Sequence, residues 1–374
     1  MTLQERLGAT SMCICVGSGG VGKTTVSAAL ALGLARRGQK VAVVTFDPAR
    51  RLATSLGLQE LDNEPRLVDP AILQAQGIEL EGELWAMMLD AKRTFDDLIL
   101  RLAPDPEAAE EVLSNRIYRE LSSAVAGSQE FTAIAKLYDL HREGSFDTIV
   151  LDTPPSRNAL DFLEAPRRLT QFFEGRALKV LLAPTGLAAR VVGRGTGAVF
   201  AILSRVTGVD LVADLSVFFR SLAGLIDGFR ERALGVQALL ADPATTFLIV
   251  SSPERAPTEE AIFFASQLAA AELPLGGLIV NRVHRRGLGE RTPAAIADAL
   301  RDSLGDRLAA RVAANAADVD VLVRRDRQAI ARLSEALGES APVIVGHLDH
   351  DVSDLAGLAE IEAQLFADPT DPDG

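Results

Sequence analysis

Nine consecutive residues near the amino terminus are of the types that bind phosphate. The first eight match G-x-x-x-x-G-K-[ST], and the stretch lies between an apolar run and an Ala- and Leu-rich segment. The nine residues are Gly17, Ser18, Gly19, Gly20, Val21, Gly22, Lys23, Thr24 and Thr25. Glycines let backbone N–H groups turn inward around a phosphate, and the N-terminus of the following helix favours negative charge. Lys23 would reach the β- and γ-phosphate oxygens, and the Thr24 hydroxyl would bind Mg²⁺. The pattern predicts a nucleoside triphosphate site.

Two aspartates follow predicted strands and are candidates for the rest of this site. Asp47 follows the run 41–46, and Asp152 follows the run 148–151. An isolated Asp at a strand end is often a helix cap or turn former, but open α/β sheets bind ligands at the carboxyl ends of their strands. We therefore predict that Asp47 and Asp152 bind Mg²⁺ together with Thr24, and that Asp47 also orients the attacking water.

Short apolar runs alternate with longer helical stretches along the chain, as is typical of βαβ units. The runs are apolar throughout, which indicates parallel strands covered by helices on both faces. We predict an α/β fold of the P-loop NTPase type, with a doubly wound, mostly parallel sheet. The predicted strands are residues 12–16, 41–46, 84–89, 148–151, 247–250, 278–280 and 343–345.

Two Leu-, Ala- and Arg-rich stretches, about 91–142 and 159–242, interrupt this alternation. We expect them to be helical insertions that form an α-helical subdomain within a single P-loop domain spanning residues 1–374. The acidic segment 366–374 is predicted to be a disordered tail.

Apolar residues in the second insertion recur at the i, i+3, i+4, i+7 spacing of an amphipathic helix. The stripe contains Leu215, Phe218, Phe219, Leu222, Leu225, Ile226 and Phe229. A helix of this kind packs on a core or presents an apolar groove to a client, and the sequence leaves both alternatives open.

Composition limits the classes of partner. A net charge of -13 argues against nucleic acid as a partner, because backbone phosphates are bound by clustered Lys and Arg. The first residues show no apolar signal region, and no apolar run is long enough for a membrane span. We expect a cytoplasmic protein without stable membrane insertion.

Cysteine and histidine usage does not favour a transition-metal site. Cys13 and Cys15 lie in a predicted buried strand, and a zinc site usually requires four Cys or His ligands. None of the four histidines has metal-ligand spacing, and we expect His347 and His350 to lie near the surface.

Several of these motifs resemble those of the ATPases of arsenite-pump and tail-anchored-protein-targeting type, which are relatives of the partitioning and division-site ATPases. Besides the glycine-rich loop, the segment 47–49 resembles the opening of switch I. The stretches 152–155 and 160–163, together with Pro166, resemble switch II. The resemblance implies ATP and Mg²⁺ as cofactors, a dimer that closes on ATP, and an apolar client such as a membrane-protein segment.

Two further segments carry the same resemblance on the base side of the nucleotide. Residues 279–282 are similar to the segment whose Asn contacts adenine, which implies this role for Asn281. Pro342 and Val343 resemble the start of the C-terminal strand beside the base. The chain looks in particular like the actinobacterial members, which tend to occur as two non-identical paralogues.

The chain departs from the family pattern at three points. Ser18 stands where the family carries a signature lysine that reaches across the dimer to the partner's phosphates. A positive charge supplied by another subunit in this way can increase the rate of phosphoryl transfer about 10³-fold or more. We therefore expect either a heterodimer with a lysine-bearing paralogue or a slow homodimer. Arg50 stands where a His is common in switch I. The Cys-x-x-Cys that joins eukaryotic subunits through zinc is missing. Any dimer must therefore be held together by side-chain packing and bound nucleotide.

Three alternatives remain beside a client-binding ATPase. The first is the soluble ATPase of an anion pump, although arsenite would need about three thiolates and only Cys13 and Cys15 are available. The second is a slow or non-catalytic subunit of a heterodimer. The third is a spatial-organising switch on DNA or membrane, which the negative charge and the acidic tail oppose.

Overall fold

The computed structural model describes residues 3–46, 51–115, 118, 128–154, 171, 225–285, 288–289, 291–338 and 341–367. The chain divides into two compact units. The first comprises Met1–Met88, Gly144–Ala159 and Ala241–Gly374, and the second comprises Leu89–Glu143 and Leu160–Leu240.

Within the described residues, the first unit contains an eight-stranded sheet with the order β3-β4-β2-β5-β1-β6-β7-β8. Its strands are β1 (Met12–Val16), β2 (Lys40–Thr45), β3 (Arg66–Leu67), β4 (Glu83–Met88), β5 (Thr148–Asp152), β6 (Thr245–Ser251), β7 (Leu275–Val283) and β8 (Val343–Gly346). All neighbours pair in parallel except β3 and β4. The predicted α/β class with a mostly parallel sheet is confirmed.

Each predicted strand is present, and one strand was missed. The central strands β1 and β5 are buried along their whole length, which explains why they appear in the sequence as unbroken apolar runs. The missed strand, β3, has two exposed residues and pairs antiparallel at the edge of the sheet. A segment of two residues has no periodicity that distinguishes it from a loop.

The helices begin with α1 (Leu3–Leu7), α2 (Lys23–Arg36), α3 (Arg51–Ser55), α4 (Pro70–Ala75), α5 (Ala91–Leu102) and α6 (Pro106–Ser114). They continue with α7 (Ser128–Glu143), α8 (Ile226–Leu240), α9 (Arg255–Ala270), α10 (Pro293–Leu337) and α11 (Leu355–Leu365). The helix α2 contacts strands on one side and α11 on another, so nearly every residue after its first turn is buried. None of the described helices is long and apolar enough to cross a membrane.

The carboxyl-terminal helix α11 is joined to α2 by a buried acid. The Glu362 side chain accepts hydrogen bonds from Arg36 at 2.6 Å and from Arg37 at 2.7 Å.

Beyond α11, the Phe366 ring lies 4.0 Å below the Arg37 guanidinium and fits against Gly33, where a Cβ would approach the ring to 2.2 Å. The missing side chain of Gly33 makes room for this ring. The disordered tail at about residues 366–374 stays a prediction. Residues 368–374 lie outside the described part of the chain.

In its described part, the second unit contains the helices α5, α6, α7 and α8 and no strand. Its helices α5 and α6 are capped by Asp90 and Asp105, whose carboxylates accept from the backbone N–H groups three residues on. Its apolar cluster includes residues from α5, α6 and α8 together with Tyr118. Stacking of Phe95 on both Tyr118 and Phe229, with ring centroids 5.9 and 5.5 Å apart, ties these elements together.

Two residues of the apolar stripe fall within this cluster. Leu225 is 1% exposed and Ile226 packs partly buried beside it. At Leu225 the structure supports the alternative of a helix packed on a core, because the cluster covers this side chain. Ile226 is only partly covered, and its client-binding role stays a prediction. Leu215, Phe218, Phe219 and Leu222 lie outside the described residues.

Candidate functional site

The glycine-rich loop connects β1 to α2 and is held close to the sheet. A Cβ at Gly17 would lie 2.0 Å from the Val250 carbonyl oxygen of β6, so only glycine fits there. The Lys23 ammonium folds over the loop and donates hydrogen bonds to the carbonyl oxygens of Gly17 at 2.9 Å and Ser18 at 2.8 Å. Burial lowers the pKa of Lys23, and the Asp152 carboxylate opposes this effect. The loop therefore holds a positive charge where a phosphate would bind.

Asp152 is the last residue of β5, and its carboxylate accepts hydrogen bonds from hydroxyl groups of two other elements. Its Oδ2 accepts from Thr24 Oγ1 at 2.7 Å and from Thr45 Oγ1 at 2.8 Å. The parallel register places Thr45 of β2 and Cys15 of β1 beside Asp152, so the sheet itself fixes the carboxylate next to the loop. A hydroxyl and a carboxylate are the hard oxygen donors that Mg²⁺ requires, so Thr24 and Asp152 fit the predicted role.

Thr45 and Thr153 support this arrangement and were not singled out from the sequence. Thr45 is the last residue of β2, and its only sequence signal is its position at the carboxyl end of a predicted strand. Thr153 follows β5, and its hydroxyl donates to the Cys15 carbonyl oxygen at 2.7 Å. Both threonines are buried, so they position Asp152 and the chain after it.

Asn281 of β7 supports the loop from the other side. Its Nδ2 donates to the Val21 carbonyl oxygen at 2.8 Å, and its Oδ1 accepts from the Arg282 backbone N–H at 2.9 Å. Gly22 has a φ of 91° and lies so close that a Cβ would approach Asn281 Nδ2 to 2.4 Å. Arg282 follows in a left-handed conformation with φ 62°, where the pairing of β7 with β8 is irregular. In this arrangement Asn281 positions the glycine-rich loop.

Two cavities that share residues lie at this edge of the sheet. The smaller, of about 330 Å³, lies over the loop and is bordered by Lys23, Thr24 and Asp152. The larger, of about 910 Å³, extends from Gly22 and Asn281. The residues shared by both cavities are Gly22, Thr25, Arg51, Arg282 and Val352. A polyphosphate over the loop and a nucleoside in the larger cavity would occupy adjoining space.

The wall of the larger cavity includes the segment 346–352, which follows β8. Pro342 and Val343 line neither cavity. Val343 pairs with Ile279, two residues before Asn281, and therefore lies below the carboxyl edge of the sheet. Parallel strands present ligands with the residues that follow them, and the roles of Pro342 and Val343 beside the base stay predictions.

A buried acid on α10 organises another part of this wall. Asp326 is fully buried and accepts at Oδ2 from the His284 backbone N–H at 3.0 Å and from the ring Nδ1 at 2.8 Å. Its Oδ1 accepts from Arg325 Nε at 3.1 Å and from a terminal guanidinium nitrogen at 2.9 Å. Burial acts to raise the pKa of Asp326, but the hydrogen bonds from His284 and Arg325 outweigh burial and lower the pKa below its ordinary value.

The His284 ring also stacks on His347, with ring centroids 5.3 Å apart and planes 18° apart. Both histidines line the larger cavity. No spacing in the sequence indicates the link from His284 to Asp326, because the two residues are 42 positions apart and meet only when α10 packs on β7.

The cysteines lie inside the core. Cys13 and Cys15 are both fully buried in β1. The hydrogen bond with Cys15, together with burial, raises the pKa of the Cys13 thiol well above its ordinary value. Among the described residues, no group of three or more His, Cys, Asp or Glu is placed to hold a metal ion.

Asp47, Arg50 and the rest of the switch I segment 47–50 lie outside the described residues, as do Pro155 and the switch II residues 160–163 and Pro166. The predicted roles of these residues stay predictions.

Comparison with known proteins finds a family model and several relatives that are similar to this chain. A family model described as anion-transporting ATPase matches residues 10–287. A putative arsenical pump-driving ATPase 1 of Aquifex aeolicus is 28% identical over 272 residues, covering 71% of this chain and 62% of that protein. ATPase ARSA2 of Chlamydomonas reinhardtii is 27% identical over 274 residues, covering 71% and 66%. ATPase GET3 of Podospora anserina is 26% identical over 268 residues, covering 71% of each protein. The match thus spans less than two thirds of the length of the first two relatives.

Proposed function

The chain belongs to the anion-transporting ATPase family, and from this premise we propose that it is a Mg²⁺-dependent ATPase that acts as a dimeric switch. In this proposal ATP closes two subunits on each other, and the helical insertions hold or release an apolar client. The protein acts in the cytoplasm.

The proximity of Thr24 Oγ1 to Asp152 Oδ2, at 2.7 Å beside the glycine-rich loop, carries the ATPase part of the proposal. Thr24 and Asp152 would hold Mg²⁺, which when bound neutralises charge on the phosphate oxygens. Lys23, whose ammonium donates to two loop carbonyls, would bind the β- and γ-phosphate oxygens. Asp47 would orient the attacking water.

Ser18 determines what kind of dimer the proposal requires. The Lys23 ammonium already occupies the inner face of the loop through the Gly17 and Ser18 carbonyl oxygens. Ser18 brings no second positive charge, which the family's signature lysine would bring to the partner's phosphates. The protein therefore acts either as a slow homodimer or together with a lysine-bearing paralogue.

The apolar stripe supports client binding through the residues that the helical cluster does not cover. Since Leu225 is buried in that cluster, we expect the client surface to be formed mainly by Leu215, Phe218, Phe219 and Leu222. A photo-crosslinker at position 218 or 222 should capture an apolar peptide in the presence of ATP. The control is the same label at Leu234, which is 51% exposed on α8. Equal capture from all three positions would contradict a specific groove.

The printed name of the Aquifex relative favours a second candidate, the soluble ATPase of an anion pump. Arsenite would require about three accessible thiolates, whereas Cys13 and Cys15 are fully buried. Stimulation of ATP hydrolysis by arsenite would favour this candidate, and an unchanged rate would favour the client-binding switch.

The decisive experiment measures Mg²⁺-ATP hydrolysis over a range of protein concentrations. A rate per subunit that rises with concentration, and is lost in Asp47→Asn and in Lys23→Ala, indicates a working homodimer. ATP binding without turnover indicates that a paralogue supplies the missing lysine. Absence of ATP binding would overturn the proposed function. Asp147→Asn is the matched control, because Asp147 is exposed and lies just before the other end of the strand that carries Asp152.

A further inference from the structure

Arg282 is held in a backbone conformation that an arginine rarely adopts. Its φ is 62°, in the left-handed region, where the Cβ atom crowds the following carbonyl oxygen. The pairing of β7 with β8 shows where this strain arises, because three steps along β7, from Val280 to Val283, lie opposite two steps along β8, from Ile344 to Gly346. The extra residue on β7 makes a β-bulge, a feature that redirects a side chain.

The bulge is tied to the glycine-rich loop by one side chain. The Asn281 Oδ1 atom accepts from the Arg282 backbone N–H at 2.9 Å, and the Nδ2 atom of the same amide donates to the Val21 carbonyl oxygen at 2.8 Å. A strained residue persists only where its surroundings hold it in place, and such residues cluster at ligand sites. Asn281 therefore fixes the backbone of Arg282 relative to the loop.

The charges around the smaller cavity favour an anion beside Arg282. The described charged residues that line this cavity are Lys23, Arg51, Arg282 and Asp152, which are three cations and one acid. In the described part of the chain, no carboxylate forms an ion pair with the Arg282 guanidinium. Like charges around one cavity repel one another, and an anion bound among them relieves that repulsion. The ligand group next to Arg282 is therefore expected to be negatively charged.

We propose that Arg282 binds the phosphate group next to the nucleoside, the α-phosphate, and that the β-bulge is retained because it brings this cation to the site. The inference rests on the proposed nucleotide site. Arg282 lines both cavities, so it lies where a polyphosphate over the loop and a nucleoside in the larger cavity would join. A guanidinium presents paired N–H donors that match phosphate oxygens. This contact is made within one subunit and differs from the charge that a partner's lysine supplies.

The first test compares ATP with inorganic triphosphate, both with Mg²⁺, as competitors that displace a fluorescent ATP analogue from the full chain. Inorganic triphosphate has no nucleoside, so it reports on the phosphate contacts alone. Arg282→Gln should weaken both competitors by the same factor, about tenfold or more, which is the effect of losing a hydrogen bond between charged groups. Arg311→Gln is the matched control, because Arg311 is exposed on α10 and lines neither cavity.

The second test uses the backbone strain. Arg282→Gly removes the guanidinium and also relieves the left-handed conformation, which glycine adopts freely. The denaturant midpoint of unfolding should therefore rise, while ATP affinity falls at least as much as in Arg282→Gln. Glu272→Gly is the control for strain, because Glu272 is the other described non-glycine residue with positive φ, at 55°, and lines neither cavity. Its midpoint should rise as well, with ATP affinity unchanged.

The outcomes separate this inference from the proposed function. If the wild type does not bind ATP, the nucleotide site itself is wrong and the inference falls with it. If Arg282→Gln weakens ATP but not inorganic triphosphate, Arg282 acts on the nucleoside, and if it weakens neither more than Arg311→Gln does, Arg282 does not contact the ligand. In both cases only the role of Arg282 is wrong. A fall in both ATP affinity and unfolding midpoint in Arg282→Gly would indicate a structural role instead.

Discussion

The Thr24 hydroxyl donates a hydrogen bond of 2.7 Å to Asp152 Oδ2, although the two residues lie 128 positions apart. Thr24 is the second residue of α2, the helix after the glycine-rich loop, and Asp152 ends a strand that is a direct neighbour of β1. The sheet therefore brings the hydroxyl and the carboxylate together. Such a pair of hard oxygen donors is what the proposed Mg²⁺ site needs.

Asp152→Asn should reduce Mg²⁺-ATP hydrolysis by about 10²-fold or more, because the neutral amide is a poor ligand for Mg²⁺ and no longer opposes the charge of the metal. The Mg²⁺ concentration that gives half the maximal rate should rise. Both are measured as steady-state rates with varied Mg²⁺. The exposed Asp147, changed to Asn, provides the control, and an Asp152→Asn rate equal to that of this control would exclude Asp152 from the metal site.

Gly22→Ala should weaken ATP binding by at least about tenfold. Its Cβ would lie 2.4 Å from Asn281 Nδ2, and the backbone φ of 91° is unfavourable for alanine. Gly77→Ala is matched in strain, since Gly77 has a φ of 72° with no neighbouring atom within 4 Å. We expect this control to lose about 1 kcal/mol of unfolding free energy while ATP affinity is unchanged. Calorimetric titration and denaturant unfolding separate the two effects.

Ser18→Lys should increase the hydrolysis rate of the homodimer by about tenfold or more, because it restores a positive charge that can reach the partner's phosphates. Ser18→Ala removes the hydroxyl without adding charge and should leave the rate unchanged. The rates are compared at a protein concentration that saturates the concentration dependence. An unchanged rate in Ser18→Lys would show that the missing lysine does not limit hydrolysis.

Glu362→Gln should lower the free energy of unfolding by about 1 to 3 kcal/mol, since the buried carboxylate accepts charged hydrogen bonds from Arg36 and Arg37. Unfolding in denaturant, followed by helical circular dichroism, measures the loss. Glu360→Gln on the same helix should change the value by less than about 0.5 kcal/mol, because the Glu360 side chain is 52% exposed. Equal effects of the two variants would mean that the buried pair does not stabilise the contact between α11 and α2.

By itself, the sequence determined the class of fold and the phosphate end of the site. Both features depend on residues that are close together in the sequence. Parallel strands buried on both faces are continuously apolar, and the phosphate-binding residues of a glycine-rich loop before a helix lie within nine neighbouring positions. Asp152 could be found because a strand end beside such a loop is where ligands bind. The edge strand β3 could not, since two exposed residues have no pattern.

The tertiary structure alone decided which distant residues complete the site. Asn281 supports the glycine-rich loop because β7 places its amide 2.8 Å from the Val21 carbonyl oxygen. The wall of the larger cavity includes the residues that follow β8, whereas Pro342 and Val343 line neither cavity. His284 meets Asp326 only through the packing of α10 on β7. Contacts of this kind depend on register and helix packing over tens of residues, and side-chain periodicity, which acts over a few residues, does not specify them.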